Sequence, residues 1–232
     1  MGLSMFEGIT AVVESAPYLL EGMCVTLALV GVSLFVGFVC GIVLTLGQVY
    51  GPWIIKRAVD IYVWFFRGLP NIVLLFLFYF ALFPMTGFDI PAFAVAVVVL
   101  GLRSAAYQSQ IFRGAILSIA DGQMLAARSL GMTRWQSIKT IILPQSLRLS
   151  LPGWSNEYPV LLTDSAVAYV IGVAELLTRT SQVISKTGEP MILYLTCAII
   201  FILLNYGGMM LIQRVEKKVR IPGFGNNEVT ET

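Results

Sequence analysis

Glu157 and Asp164 stand seven positions apart in a stretch of otherwise mostly apolar residues that several prolines interrupt. If that stretch stays helical, the spacing sets the two carboxylates about two turns apart on nearly one face, with Asn156 beside them. An ionisable side chain at the centre of a bilayer costs about 2.5–3.5 kcal/mol on insertion scales, so one that is retained there faces protein or a watery cavity. Such carboxylates can hold the ammonium of a polar solute, or they can make interhelical hydrogen bonds that hold a bundle together. Pro152 and Pro159 can break the helix and turn carbonyls toward a substrate cavity. Arg103, in another apolar stretch, can pair with Glu157 or Asp164, or meet a substrate carboxylate. Arg67 and Arg113 lie nearer the ends of their stretches and read as anchors whose charged heads snorkel to the interface. The chain has no histidine, no Gly-x-x-x-x-Gly-Lys-Ser/Thr loop and no cysteine cluster, which removes the usual general base, a Walker-type ATP site and most metal sites. No cofactor is expected here, and any ATP used for transport must be bound by another subunit. Cys24, Cys40 and Cys197 lack paired spacing and read as small packing residues.

The elements that carry these residues are membrane helices. Of 232 residues, 57% are hydrophobic and 12% charged, against about 25% charged in a soluble domain. The charge-free runs Gly22 to Ile55, Gly68 to Phe88 and Met191 to Gln213 are each long enough to cross roughly 30 Å of hydrocarbon as a helix. Ile90 to Ile119, interrupted by Arg103 and Arg113, and Leu149 to Ala174, interrupted by Glu157 and Asp164, bring the expected number of spans to about five. The N-terminus lacks a basic segment and places Glu7, Glu14 and Glu21 before the first apolar run, so it reads as part of the mature protein rather than a signal peptide. Basic residues fall in alternate loops: Lys56 and Arg57 after the first span, Arg128, Arg134 and Lys139 after the third, and Arg214, Lys217, Lys218 and Arg220 after the fifth. The Pro84 to Pro91 turn carries none, and Arg179 and Lys186 fall between the fourth and fifth spans. Basic loops stay cytoplasmic, so the N-terminus is expected outside and the C-terminus inside. Juxtamembrane placement accounts for the net charge of +2, and no nucleic-acid partner is implied.

The longest cytoplasmic segment, about Gly114 to Pro144, reads as a short helix of its own. Asp121 can cap its start, and the apolar Leu125, Leu130, Met132, Trp135 and Ile138 alternate with Arg128, Arg134 and Lys139, a mixed face suited to a partner or to the membrane surface. Gly131 interrupts it, so either the helix ends there or another backbone comes close. Trp53, Trp64, Trp135 and Trp154 read as interfacial or packing residues.

The segment Gly122 to Pro144, GQMLAARSLGMTRWQSIKTIILP, resembles the signature loop of permease subunits of bacterial and archaeal ABC importers: Glu-Ala-Ala, then Gly, then a distal Ile/Leu-Leu-Pro. Ala126, Ala127, Gly131, Ile142, Leu143 and Pro144 match in order and spacing, while Leu125 stands where that family has glutamate. FFRGLPNIVLLFLFYF (65–80) and RSAAYQSQIFRGAI (103–116) resemble segments of its polar amino acid branch, with Gln110 in place of a frequent glutamate. SNEYPVLLTDSAVAYVIGVAELL (155–177) resembles that branch's Asn-Glu/Gln, Asp-Ser/Thr and Ile-Gly-Val-x-Glu-Leu sequence. The resemblance implies an all-α membrane protein with the type I ABC importer permease fold, about five transmembrane helices and a cytoplasmic coupling helix. It implies a single permease domain over residues 1–215, with the coupling loop at about 118–144, and a cytoplasmic tail over 216–232. Gly122, Leu125, Ala126, Ala127, Leu130, Gly131, Met132 and Trp135 would dock on a cytoplasmic ATPase dimer that binds the ATP and Mg. A second permease subunit, identical or homologous, and an extracytoplasmic amino-acid-binding protein would complete the importer in the inner membrane of a bacterium or archaeon. Asn156, Glu157, Asp164, Ser165 and Arg103 would line the path of a polar amino acid. Two other readings suit the residues alone: an ion-coupled secondary transporter using Asp164 and Glu157 as ion sites, and a membrane scaffold whose basic loop docks a partner.

Overall fold

The computed structural model describes the backbone of residues 2–119 and 121–219, and the side chains of 8–119 and 122–218. The side chains of Glu7 and Asp121, the cap expected from the latter, and Arg220 with the rest of the tail lie outside the described residues. The elements in chain order are α1 (Gly2–Tyr50), α2 (Trp53–Gly68), α3 (Asn71–Phe76), α4 (Ala92–Ser118), α5 (Asp121–Ser129), α6 (Arg134–Ser137), α7 (Leu143–Trp154), α8 (Glu157–Ser165), α9 (Leu176–Thr187) and α10 (Pro190–Val219). Two π-helical stretches, Leu77–Leu82 and Ile138–Ile142, continue α3 and join α6 to α7, and a 3₁₀ turn, Ala166–Ile171, extends α8. Pro52, Pro70 and Pro91 each stand in extended backbone immediately before α2, α3 and α4. Proline has no N–H to contribute to a preceding helix, so it ends one element and starts the next without loss.

Among the described residues, three single helices are long and apolar enough to cross a membrane: Gly8–Tyr50, Ala92–Ser118 and Pro190–Lys218. Two bent pairs qualify together, Trp53–Gly68 with Asn71–Thr86, bent by 108°, and Glu157–Ile171 with Leu176–Thr187, bent by 51°. Several expected boundaries change. The first apolar run ends at Tyr50, not Ile55, and continues toward the N-terminus through Glu14 and Glu21 as one helix of 49 residues. Lys56 and Arg57 therefore lie in helix α2 rather than in a loop. The stretch expected from Leu149 to Ala174 is divided at Ser155–Asn156, with Pro152 inside α7 and Pro159 in the first turn of α8. Arg179 and Lys186 are likewise helical, in α9. Residue 216 falls inside α10, which continues to Val219.

Glycine governs how closely α1 and α4 approach. A Cβ at Gly37 would lie 2.5 Å from Gln108 Nε2 and 2.9 Å from Ser104 Cβ, and one at Gly41 would lie 3.3 Å from the Ser109 backbone nitrogen. Small residues four apart let two membrane helices meet backbone to backbone. The Thr45 hydroxyl donates to Ser109 O at 2.9 Å and Gln108 Nε2 donates to Leu34 O at 3.2 Å across the same contact. The main core gathers Leu29 and Val30 of α1, Leu74 and Leu75, Val95, Val99 and Leu100 of α4, and Leu161 and Leu162 of α8. By contrast, α10 leaves Ile199, Ile202, Leu203, Tyr206 and Leu211 exposed, as a lipid- or subunit-facing helix does. Of the cysteines, Cys197 packs in a second cluster with Leu19, Leu176, Val183 and Leu193, whereas Cys24 faces outward.

Candidate functional site

Helix α8 does stay continuous between Glu157 and Asp164, and both carboxylates reach α4. Arg103 pairs with Asp164 through Nη1 and Oδ2. Of the partners open to it, Arg103 thus takes Asp164. Glu157, 6% exposed, instead accepts from the Ser104 hydroxyl at 2.9 Å. Ser104 in turn accepts from Gln108 Nε2 at 2.8 Å, and Gln108 Oε1 accepts from the Trp154 indole at 2.7 Å. This buried chain ties α4 to α7 and α8, and neighbouring polar bonds in a low-dielectric interior reinforce one another. Both arginines of the region share an aromatic ring: the guanidinium carbons of Arg67 and Arg103 lie 4.8 and 5.1 Å from the centroid of Tyr107, within cation–π range.

Asn71 completes the cluster. The 108° break at Leu69–Pro70 makes it the first residue of α3 and turns it inward, 8% exposed. Its Nδ2 donates to the Asp164 carbonyl oxygen at 3.4 Å. Its Oδ1 and the Nε of Arg103 are the buried side-chain polar atoms without a hydrogen-bond partner among the described residues, a state that costs about 1–3 kcal/mol each if nothing fills it. The other expected pathway residues stand differently. Ser165 is fully buried and bonds its own helix at Leu162 O, 2.7 Å away, while Asn156 is exposed at the start of α8.

The sequence reading missed Asn71, Ser104, Tyr107 and Gln108. The available signals were one amide inside the apolar run 68–88 and two polar residues four apart on α4, which share a helix face. Tyr107 offered no signal beyond its type.

At the end of the bundle that carries α5 and α6, the expected helix ends at Ser129 and Gly131 terminates it with φ +83°. Met132 N bonds to Ala127 O at 3.2 Å and Gly131 N to Arg128 O at 3.0 Å, the paired bonds of a Schellman turn. Thr133 and Gln136 then cap α6 reciprocally, at 3.3 and 2.8 Å. Among the described residues nothing lies within 4 Å of a Cβ at Gly131, so backbone conformation, not crowding, requires the glycine. Leu125, Leu130 and Trp135 are 70%, 83% and 66% exposed. Gly122 and Ala126 are exposed with them, Met132 is half-buried, and Ala127 is buried against its own chain. Arg134 stacks over Tyr50 at 5.4 Å, joining this turn to the end of α1.

At the opposite end, the Ile-Gly-Val-x-Glu-Leu stretch is a structural corner. Gly172, at φ +81°, ends the 3₁₀ turn. Glu175, fully buried, caps α9 by accepting from Leu177 N at 2.8 Å and Thr178 N at 2.7 Å, and Thr26 of α1 accepts from Leu176 N at 3.2 Å. The free amides of the helix start are met by side chains, as burial demands. Arg179 locks the same corner to α1 through Glu21 Oε2 at 2.5 Å and the ring of Tyr18 at 4.3 Å.

The family described as binding-protein-dependent transport system inner membrane component matches residues 33–221. The probable amino-acid ABC transporter permease protein YckA of Bacillus subtilis (strain 168) is 37% identical over 189 residues, 82% of this chain and 83% of that protein. The glutamine transport system permease protein GlnP of Escherichia coli (strain K12) is 32% identical over 214 residues, 91% of this chain and 97% of that protein. A crystal structure of an amino acid ABC transporter with histidines superposes with a TM-score of 0.81 at 32% identity, over 90% of this chain and 97% of that one.

Proposed function

This chain belongs to the family of binding-protein-dependent transport system inner membrane components, and we propose from that premise that polar amino acids cross the membrane through it beside the Arg103–Asp164 pair. It is the permease subunit of an ABC amino-acid importer. The family match, with its permease relatives, favours this over an ion-coupled secondary transporter.

The finer reading follows from the helices and their charges. Counting each bent pair once makes five spans, and the alternation of basic segments sets the N-terminus outside and the C-terminus inside. The embedded domain runs to about residue 215, with the tail cytoplasmic. The exposed Leu125, Leu130 and Trp135, with Gly122, Ala126 and Met132, dock on a partner ATPase that carries the ATP and Mg. Buried Ala127 and the Gly131 turn hold that surface in shape. Because ATPases of this kind close in pairs, the working unit contains two permease subunits, and an extracytoplasmic binding protein delivers the solute. The setting is the inner membrane of a bacterium or archaeon.

The observation that carries the site is the ion pair itself. An amino acid entering a dry cavity needs a partner for its ammonium and another for its carboxylate, and Asp164 and Arg103 supply one of each, with Arg103 Nε and the neighbouring Asn71 Oδ1 still unpaired among the described residues. The test compares Asp164→Asn, Arg103→Gln and the double variant, reconstituted with ATPase and binding protein. The pair is half-buried, its side chains 17% and 19% exposed, so removing one partner costs at most the roughly 3–5 kcal/mol of a fully buried pair, whereas removing both relieves most of that cost. The single variants should lose both thermal stability and uptake, and the double should regain stability without regaining uptake. Recovery of uptake in the double variant would make the pair a bundle fastener and remove it from the substrate path.

A further inference from the structure

We propose that Asn71 sets the selectivity of this site, fitting it to an uncharged amino acid with a side-chain carboxamide; the inference rests on the substrate-site reading above. Asn71 Oδ1 and Arg103 Nε are buried without partners among the described residues, and both belong to side chains held by Asp164, one at its carbonyl and the other at its carboxylate. The orientation of the Asn71 amide is fixed by chemistry: a carbonyl oxygen only accepts, so Nδ2 must face Asp164 O and Oδ1 must point elsewhere. That leaves one free acceptor and one free donor at a single residue's flank. A carboxamide presents the complement, an NH₂ for Oδ1 and a C=O for Nε–H.

Charge argues in the same direction. The cluster holds two cations, Arg67 and Arg103, and two carboxylates, Glu157 and Asp164. Asp164 is taken by the α-ammonium of the solute on the reading above, and Glu157 by the Ser104 hydroxyl. No carboxylate is left over for a guanidinium or ammonium side chain, and an unpaired charge in such a place is far costlier to desolvate than an amide. An anionic side chain has only Arg67 to turn to, and that guanidinium already lies over Tyr107.

The binding protein chooses solutes before the permease does, so the test omits it. Equilibrium binding of radiolabelled glutamine, arginine and glutamate is measured on the permease–ATPase complex in lipid nanodiscs without nucleotide. Glutamine should bind at least about tenfold more tightly than either charged amino acid, the worth of one or two additional hydrogen bonds. Asn71→Asp, nearly the same shape, should weaken glutamine about tenfold and move the order toward arginine, while Asn71→Leu should weaken glutamine without helping arginine. Arginine or glutamate binding as tightly as glutamine, or an order that Asn71→Asp leaves unchanged, overturns the assignment of Asn71 while leaving the site intact. Failure of all three amino acids to bind the wild type overturns the site and this inference together. If Asn71→Asp does not assemble with its ATPase, the wild-type order alone decides.

Discussion

Replacing Gly131 by alanine should impair coupling to ATP hydrolysis while leaving the protein inserted, and the structure says by how much. The residue sits at φ +83° and anchors two bonds, Gly131 N to Arg128 O at 3.0 Å and Met132 N to Ala127 O at 3.2 Å. A methyl group there meets no atom within 4 Å, so the penalty is conformational alone. Holding an L-residue in the left-handed region costs about 1–2 kcal/mol, which lowers the ratio of intact to opened turn by a factor of about 5–30. Asparagine tolerates this region better than alanine because its short polar side chain bonds locally. The assay is substrate-stimulated ATP hydrolysis by the complex reconstituted with ATPase and binding protein. Gly131→Ala should lose most of the stimulation and Gly131→Asn should lose less. Gly131→Trp separates conformation from docking, since it shares the backbone penalty of alanine and adds bulk at a Cβ with no described atom within 4 Å, where a docked partner would meet it. Alanine matching wild type, or asparagine falling below alanine, would refute the conformational argument; tryptophan no worse than alanine would refute close docking.

Two further outcomes follow from the same geometry. Gly37→Ala should destabilise the permease by about 1–3 kcal/mol through overpacking, because its Cβ would lie 2.5 Å from Gln108 Nε2 and 2.8 Å from Ser104 Oγ; thermal unfolding in detergent reads this, with Gly31→Ala, whose Cβ meets no described atom within 4 Å, as the control that is not destabilised, alanine being the better helix former. In a background with Cys24, Cys40 and Cys197 replaced by serine, cysteines at Gly87 and Thr133 should react with an impermeant maleimide from outside and from inside respectively, and the reverse pattern would invert the orientation.

Hydropathy made α1 and α10 legible as charge-free apolar runs, a composition that survives any detail of packing; α4 was reached only as a run interrupted by Arg103 and Arg113, and the charge-free run 68–88 is not one long helix but half of a bent pair. It did less well where helices bend. The apolar run beginning at Gly68 gave no sign that Trp53–Gly68 would join it at 108°, because Lys56, Arg57 and Asp60 lower the hydropathy of α2 even though Trp53, Ile54 and Trp64 face outward. The prolines misled in the opposite direction: Pro152 and Pro159 suggested breaks, yet each sits within a helix and the chain divides between them at Ser155–Asn156. The turn at Gly131 was readable as a helix end because glycine supplies a backbone conformation other residues resist, and that is a local property.

Which polar group meets which is not local, and this is why the sequence left the partner of Arg103 open. Asp164 and Glu157 both lie on α8, and both reach α4, so spacing alone allowed either pairing. The choice is made by α1 and α7: Gly37 lets α1 press on Gln108, and Gln108, held by Leu34 O and by the Trp154 indole, donates to Ser104, whose hydroxyl donates to Glu157. With Glu157 satisfied by a neutral donor, Arg103 is left to Asp164. The same arrangement explains why Asn71 matters without looking important. As one amide in an apolar run it reads as tolerated polarity, but the break at Pro70 brings it to the one residue that already holds the arginine. A buried amide with a spare acceptor beside a guanidinium with a spare donor is a cost that packing alone has no reason to keep. Within a dry bundle, such a cost persists where a ligand removes it.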